Sequence, residues 1–206
     1  MTNDLKFIHQ FVSGSSGRTL LLLHGTGGDE HDLIPLGREL DPAAALLSPR
    51  GMVSENGHAR FFRRLAAGVF DLEDLQERTG ELADFITAAA QHYQFDAAQL
   101  CAVGYSNGAN IAASILLRRP EVLRTAILLR AMVPFVPEKL PDLRGVRVWI
   151  AGGKEDMIIP PAETKGLAEL LDRAGAEVTA NFFDVGLGLT NTELVLAQRW
   201  LVGGQS

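Results

Sequence analysis

The chain has 206 residues, 47% of them apolar and 21% charged, and a net charge of −6. That length suits one domain with a sizeable core and leaves little for a second. The acidic balance argues against a nucleic-acid partner, which would want a basic surface, and a single cysteine, Cys101, excludes an intrachain disulfide and suits a reducing compartment.

The start, Met1 to Lys6, has no basic segment leading into an apolar stretch. No apolar run approaches the ~20 residues that span a bilayer. A soluble, cytoplasmic, single-domain protein over 1–206 is expected.

In chain order, residues 5–12 alternate weakly and lead into the turn Ser13-Gly14-Ser15-Ser16-Gly17. Residues 19–23 (TLLLL) form a buried-strand run, and 30–40 look like a short helix. A short apolar run, 43–48, ends at Pro49-Arg50-Gly51. Residues 51–71 are irregular, rich in Gly, Arg and Phe, and suit a lid or pocket wall. Residues 72–94 carry Leu72, Leu75, Leu82, Phe85 and Ile86 at helical spacing, with Asp71 as the N-cap. Strand 99–103 then leads to helix 107–118, and strand 124–130 follows. Strand 146–151 leads to helix 161–174, and strand 177–183 to a last helix at about 191–202. Thr190 and Glu193 make a capping box for that helix. Apolar strands alternating with amphipathic helices mean an α/β chain whose parallel sheet is covered on both faces.

Three strand ends carry chemistry. Gly104-Tyr105-Ser106-Asn107-Gly108 matches the nucleophile elbow, and it sits where an elbow must, between a strand and a helix. Ser106 is the candidate nucleophile. His24-Gly25-Thr26-Gly27-Gly28 ends an earlier strand, so its backbone can face a reacting carbonyl oxygen. The N–H groups of Thr26 and Asn107 are the candidate oxyanion donors, with Gly25 and Gly27 bordering the pocket. The acidic run Asp29 to Asp32 is what the start of a helix favours, more than a metal site, and no cofactor is expected. Gly152-Gly153-Lys154-Glu155-Asp156 ends a later strand; Asp156 is the candidate acid, with Glu155 beside it.

The base is missing. His9, His24, His31, His58 and His92 all precede Ser106, and none follows Asp156. The loop before the last helix reads Asp184-Val185-Gly186-Leu187-Gly188-Leu189-Thr190. Neither Asp184 nor Thr190 is a convincing substitute for an imidazole.

These residues resemble the bacterial phospholipase/carboxylesterase family of α/β hydrolases, relatives of acyl-protein thioesterases and dienelactone hydrolases. The carriers are LLHGTGGDEHDL (22–33), SPRG (48–51), ENG with RFFRR (55–57 and 60–64), GYSNGAN (104–110), LLRAMVP (128–134), GGKEDMIIP (152–160) and GLGLT (186–190). The resemblance implies an α/β-hydrolase fold with a mostly parallel seven-stranded sheet. It also implies Ser106 as nucleophile, Asp156 as acid, an apolar acyl pocket, and short acyl esters, lipid esters or thioesters as substrates. In the family the last motif resembles G-H-x-L-T, with the histidine as general base. Here Leu187 stands at that place, through drift or engineering.

Three functions compete on this sequence. The first is an ester hydrolase impaired at its base. The second is an active esterase with a substitute base, His58 before His24 or His31. The third is a non-catalytic module that binds a small ligand. Phe61 and Phe62 could form a pocket wall. Met132, Met157, Ile158, Val185 and Leu187 could supply apolar surface near Ser106. A homodimer is possible.

Overall fold

A computed structural model describes residues 5–203. Its main sheet has seven strands, built from β1 (His9–Val12), β2 (Thr19–Leu23), β3 (Ala45–Pro49), β8 (Leu100–Tyr105), β9 (Thr125–Leu129), β10 (Arg147–Gly153) and β11 (Glu177–Phe183). They lie in the order β1-β3-β2-β8-β9-β10-β11, and every pairing is parallel except β1 with β3. The helices are α1 (Ile34–Leu40), α2 (Leu72–Tyr93), α3 (Asn107–Arg118), α4 (Pro161–Arg173) and α5 (Asn191–Gly203). This is the expected α/β-hydrolase fold.

The period of the strands sorts the core into two layers. Leu20, Leu22, Val103, Ile127 and Trp149 face one side, where α1 and α5 bring Leu40, Ala197 and Leu201. Leu21, Leu23, Ala102, Leu128 and Ile150 face the other, against α2, α3 and α4. The strands are apolar on both faces because helices cover both. Among the described residues, no helix is long and apolar enough to cross a membrane. Cys101 lies buried within β8, and burial pushes its thiol up to about 12, which leaves it protonated and inert.

The central helix, α3, packs tightly against β2. A Cβ on Gly108 would sit 1.9 Å from the carbonyl oxygen of Leu23, which is backbone and cannot turn aside. Gly108→Ala is therefore expected to lower the unfolding free energy by about 1–3 kcal/mol or more, as overpacking does, read as a drop in urea midpoint.

Two expectations about local structure need correction. Residues 51–71 are two small antiparallel hairpins and not irregular chain: β4 (Val53–Glu55) with β5 (His58–Arg60), and β6 (Arg64–Ala66) with β7 (Val69–Phe70). The first turns on Asn56 and Gly57, both at positive φ (53° and 82°), as a two-residue hairpin turn requires. The expected helix at 30–40 starts only at Ile34, with a proline in its first turn, and 30–33 form turns instead. Asp71 does cap α2, accepting from the N–H of Asp74. Thr190 and Glu193 do cap α5 reciprocally.

Candidate active site

Parallel strands deliver their following residues to one edge of the sheet. The chain runs from β2 toward β3 on one side, while β8 lies on the other, so the topology switches between β2 and β8. Such a switch point opens a crevice at the carboxyl ends, where open α/β sheets hold ligands. The loop after β2 and the elbow after β8 flank it. The residues following β9, β10 and β11 lie along the same edge.

Ser106 occupies the turn between β8 and α3 at φ 51°, ψ −113°. A positive φ is costly for a residue with a side chain, roughly 1–3 kcal/mol, and persists where surroundings impose it. Here the N–H of Ser106 donates to Leu129 O (2.8 Å) and its carbonyl accepts from Asn110 N–H (3.0 Å). Neighbouring strand and helix thus hold the turn, and the side chain stays partly open to solvent.

The glycine-rich loop faces this turn. Gly27 N–H donates to Ala59 O (2.9 Å) and Gly28 N–H to Gly25 O (3.1 Å). Thr26 is exposed, and its Oγ1 accepts from Arg60 Nη1 at 2.5 Å, which ties the loop to the first hairpin. Asn107 is the first residue of α3, so its N–H has no partner inside the helix. Its side-chain Oδ1 accepts from Phe61 N–H (2.7 Å), fastening the hairpin segment to the elbow.

Glu30 in the acidic run is engaged elsewhere. It is buried and accepts from Arg50 Nε (2.5 Å) and Nη2 (2.9 Å). The hydrogen bond from Arg50 holds its carboxyl below the ordinary 4.5, against the opposing effect of burial. A carboxylate held low in the folded state stabilises fully above its unfolded pKa, and that contribution disappears as pH falls through the folded value. Glu30→Gln should therefore flatten the fall in Tm as the pH drops below the ordinary glutamate range, measured by calorimetry.

Asp156 follows β10 and is only 4% exposed. Its Oδ1 accepts from the N–H groups of Ile158 (2.8 Å) and Ile159 (2.9 Å). Its Oδ2 is buried and has no partner among the described residues. Next door, Glu155 N–H donates to Val185 O (3.1 Å), which brings the 184–190 loop beside Asp156. On its other flank, Tyr105, the residue before Ser106, donates its hydroxyl to Leu187 O (2.9 Å). Burial above all pushes the Tyr105 phenol up, against the opposing charge of Arg130, so it remains a donor. Leu187 is thus tethered between the Ser106 turn and the loop that carries Asp156, and its side chain is half-buried.

The 184–190 loop carries no histidine; all five stand before Ser106 in the chain. His24 is buried; its Nδ1 donates to Gly25 O (2.6 Å) and its Nε2 accepts from Gly51 N–H (2.9 Å). Burial lowers its pKa, so it is a neutral strut with both nitrogens engaged. His9 contacts Phe7 O and the Tyr93 hydroxyl at the far edge. His31 stands 3.3 Å from Glu30, and His92 packs on Tyr93. His58, exposed on β5, has its Nδ1 3.0 Å from where a Cβ on Gly27 would sit.

The expected pocket residues divide. Phe61 and Phe62 are 2% and 0% exposed and belong to the core, so they back the site and do not line an open wall. Residues 52–54 of the same segment instead border a cleft of about 370 Å³ shared with Lys6 and Ile8. Met157 and Ile158 project outward, 93% and 67% exposed, beside Asp156. Met132 and Val185 are half-buried at the same sheet edge, and Met132 N–H is held by Asn110 Oδ1 (2.9 Å). Asp184 is exposed and pairs with Lys154 (2.8 Å).

Arg130, which sequence reasoning did not single out, is fully buried beside the 184–190 loop at φ 56°. It makes a bidentate ion pair with Glu193 (2.6 and 3.1 Å). No sequence pattern signals this pair, because its members stand 63 residues apart.

Known proteins resemble this chain over nearly its whole length. The chain is 50% identical over 192 residues to MhqD of Bacillus subtilis (strain 168), a protein whose name marks it as a hydrolase; the match covers 93% of this chain and 96% of that one. The solved structure of the Bacillus cereus carboxylesterase superposes with a TM-score of 0.94 at 45% identity, over 98% of this chain and 99% of that one. The chain belongs to the carboxylesterase family of α/β hydrolases. The carboxylesterase from Mesorhizobium loti is a further relative, with a TM-score of 0.91 at 33% identity over 98% of both chains. No family model matches the chain, so membership rests on these pairwise likenesses. In this carboxylesterase-family chain the Ser106 turn, the glycine loop and Asp156 share one sheet edge.

Proposed function

We propose that this chain is a serine ester hydrolase for short acyl or lipid esters whose general-base position is held by Leu187. The observation that carries this reading is the buried, unpartnered Oδ2 of Asp156 beside the Leu187 loop. An orphaned buried acceptor costs about 1–3 kcal/mol and calls for an explanation. An imidazole at position 187 would supply the absent donor through Nδ1–H and present Nε2 to Ser106. Leucine supplies neither.

The reaction follows from the groups in place. Ser106 Oγ attacks the ester carbonyl, and a C–O bond forms as the hydroxyl proton leaves. The N–H groups of Thr26 and Asn107 receive the developing oxyanion. The alcohol departs with a proton, and water then releases the acid from the Ser106 acyl-enzyme. Without an adjacent base the hydroxyl is a weak nucleophile, so solvent must take the proton and both steps are slow. Met132, Met157, Ile158, Val185 and Leu187 provide apolar surface for the acyl chain, with Gly25 and Gly27 leaving room at the oxyanion side. A single buried cysteine fits a reducing compartment such as the cytoplasm.

The test is hydrolysis of p-nitrophenyl acetate and labelling by a fluorophosphonate, with Ser106→Ala as control. Slow turnover and slow labelling, both lost in Ser106→Ala, are expected. Rapid turnover lost in His58→Ala would replace this reading by one with His58 as base. Ester binding with neither turnover nor labelling, and no gain from Leu187→His, would make the chain a ligand-binding module.

A further inference from the structure

Resting on the hydrolase reading above, we infer that Arg130 and Tyr105 are positioning residues that hold position 187 between nucleophile and acid by gripping the backbone of its loop. Three consecutive carbonyls of that loop each accept a side-chain hydrogen bond. Arg130 Nε donates to Gly186 O (3.1 Å) and Arg130 Nη2 to Gly188 O. Between them, the Tyr105 hydroxyl donates to Leu187 O (2.9 Å). Both side chains are rooted at the carboxyl edge of the sheet: Tyr105 ends β8 directly before Ser106, and Arg130 follows β9.

The grip suits a loop that would otherwise wander. Glycines on both sides of residue 187 leave its backbone with many accessible conformations. A planar guanidinium can span two carbonyls in a fixed geometry, which a lysine ammonium cannot. Glu193 orients that guanidinium through both of its oxygens, and the same carboxylate caps α5 through Thr190 N–H (2.8 Å). One buried pair thus locks the loop and the start of the following helix together. A buried charge is costly to desolvate, and here it lies where a base must be aimed within a fraction of an ångström.

Two substitutions test this. Tyr105→Phe removes a single hydroxyl. Arg130→Lys keeps the charge facing Glu193 but gives up the fork. Two readouts are taken. The first is native-state amide exchange across residues 186–190 in the otherwise unaltered chain. Both substitutions should quicken exchange there while leaving the strands unchanged. The second is kinetics with p-nitrophenyl acetate in the Leu187→His background. There each should lower kcat by about tenfold or more with KM held within about twofold, since slight misplacement of a base penalises the chemical step. Unchanged exchange at 186–190 overturns the proposal. So does quickened exchange with kcat within about twofold of the Leu187→His parent. If Leu187→His itself brings no hydrolysis, the ester-hydrolase reading fails, and exchange alone then decides whether Arg130 and Tyr105 hold the loop.

Discussion

Leu187→His is expected to raise kcat/KM for p-nitrophenyl acetate by about 10²–10⁴-fold, the range a well-placed general base contributes. The surroundings for the new ring are already built. Asp156 offers Oδ2, which has no partner among the described residues, while Oδ1 is fixed by the N–H groups of Ile158 and Ile159. The loop backbone is fixed on both sides by Arg130 and Tyr105. An activated phenyl ester needs less help than an alkyl ester, so the gain should be larger with ethyl esters. Two controls locate the effect. Ser106→Ala in the same background should abolish it, and Asp156→Asn should remove most of it, because an amide stabilises neither the required tautomer nor the imidazolium. A gain that survives Asp156→Asn would place the new imidazole somewhere other than beside the acid.

The second large effect concerns stability. Glu193→Gln is expected to destabilise the fold by about 3–5 kcal/mol, or roughly 6–20 °C in Tm for a chain of this size. Arg130 is fully buried, and Glu193 is the carboxylate that faces it, at 2.6 Å. Glutamine leaves that cation uncompensated in a low-dielectric interior, where Coulomb and desolvation costs are both large. The double substitution Arg130→Met with Glu193→Leu should recover much of the loss, since apolar replacements of similar volume remove both desolvation costs together. A single-variant loss below about 1 kcal/mol would mean that water reaches the pair.

Both effects trace to the same edge of the sheet, and the sequence disclosed that edge unevenly. The run at 19–23 is β2 residue for residue, and helix 107–118 is α3, because an unbroken apolar strand and an elbow glycine leave little local freedom. Strand 177–183 is β11, although it is partly exposed, because Gly175 and the loop at 184 bracket it. The capping residues Asp71 and Thr190 were legible too, since a cap is a contact within one turn of helix. The hairpins inside 51–71 were missed despite a sequence signal for one of them. Asn56-Gly57 is a strong two-residue turn, but its strands are three residues long and carry no apolar alternation to advertise them.

The amino-acid sequence by itself determined the family, the fold, and the residue types available for chemistry, including the fact that no histidine follows Asp156. Those properties are local, or depend on order along the chain. Only the tertiary structure decided the rest. It buried Phe61 and Phe62 in the core, engaged both nitrogens of His24, and left one oxygen of Asp156 without a partner among the described residues. It also joined Arg130 to Glu193 around the Leu187 loop. Apart from the local bond from His24 to Gly25, these outcomes depend on residues distant in sequence, brought together by which strand ends share the carboxyl edge of a parallel sheet. Composition and periodicity report which groups a chain carries, and it is that shared edge that brings Ser106, Asp156 and Leu187 together.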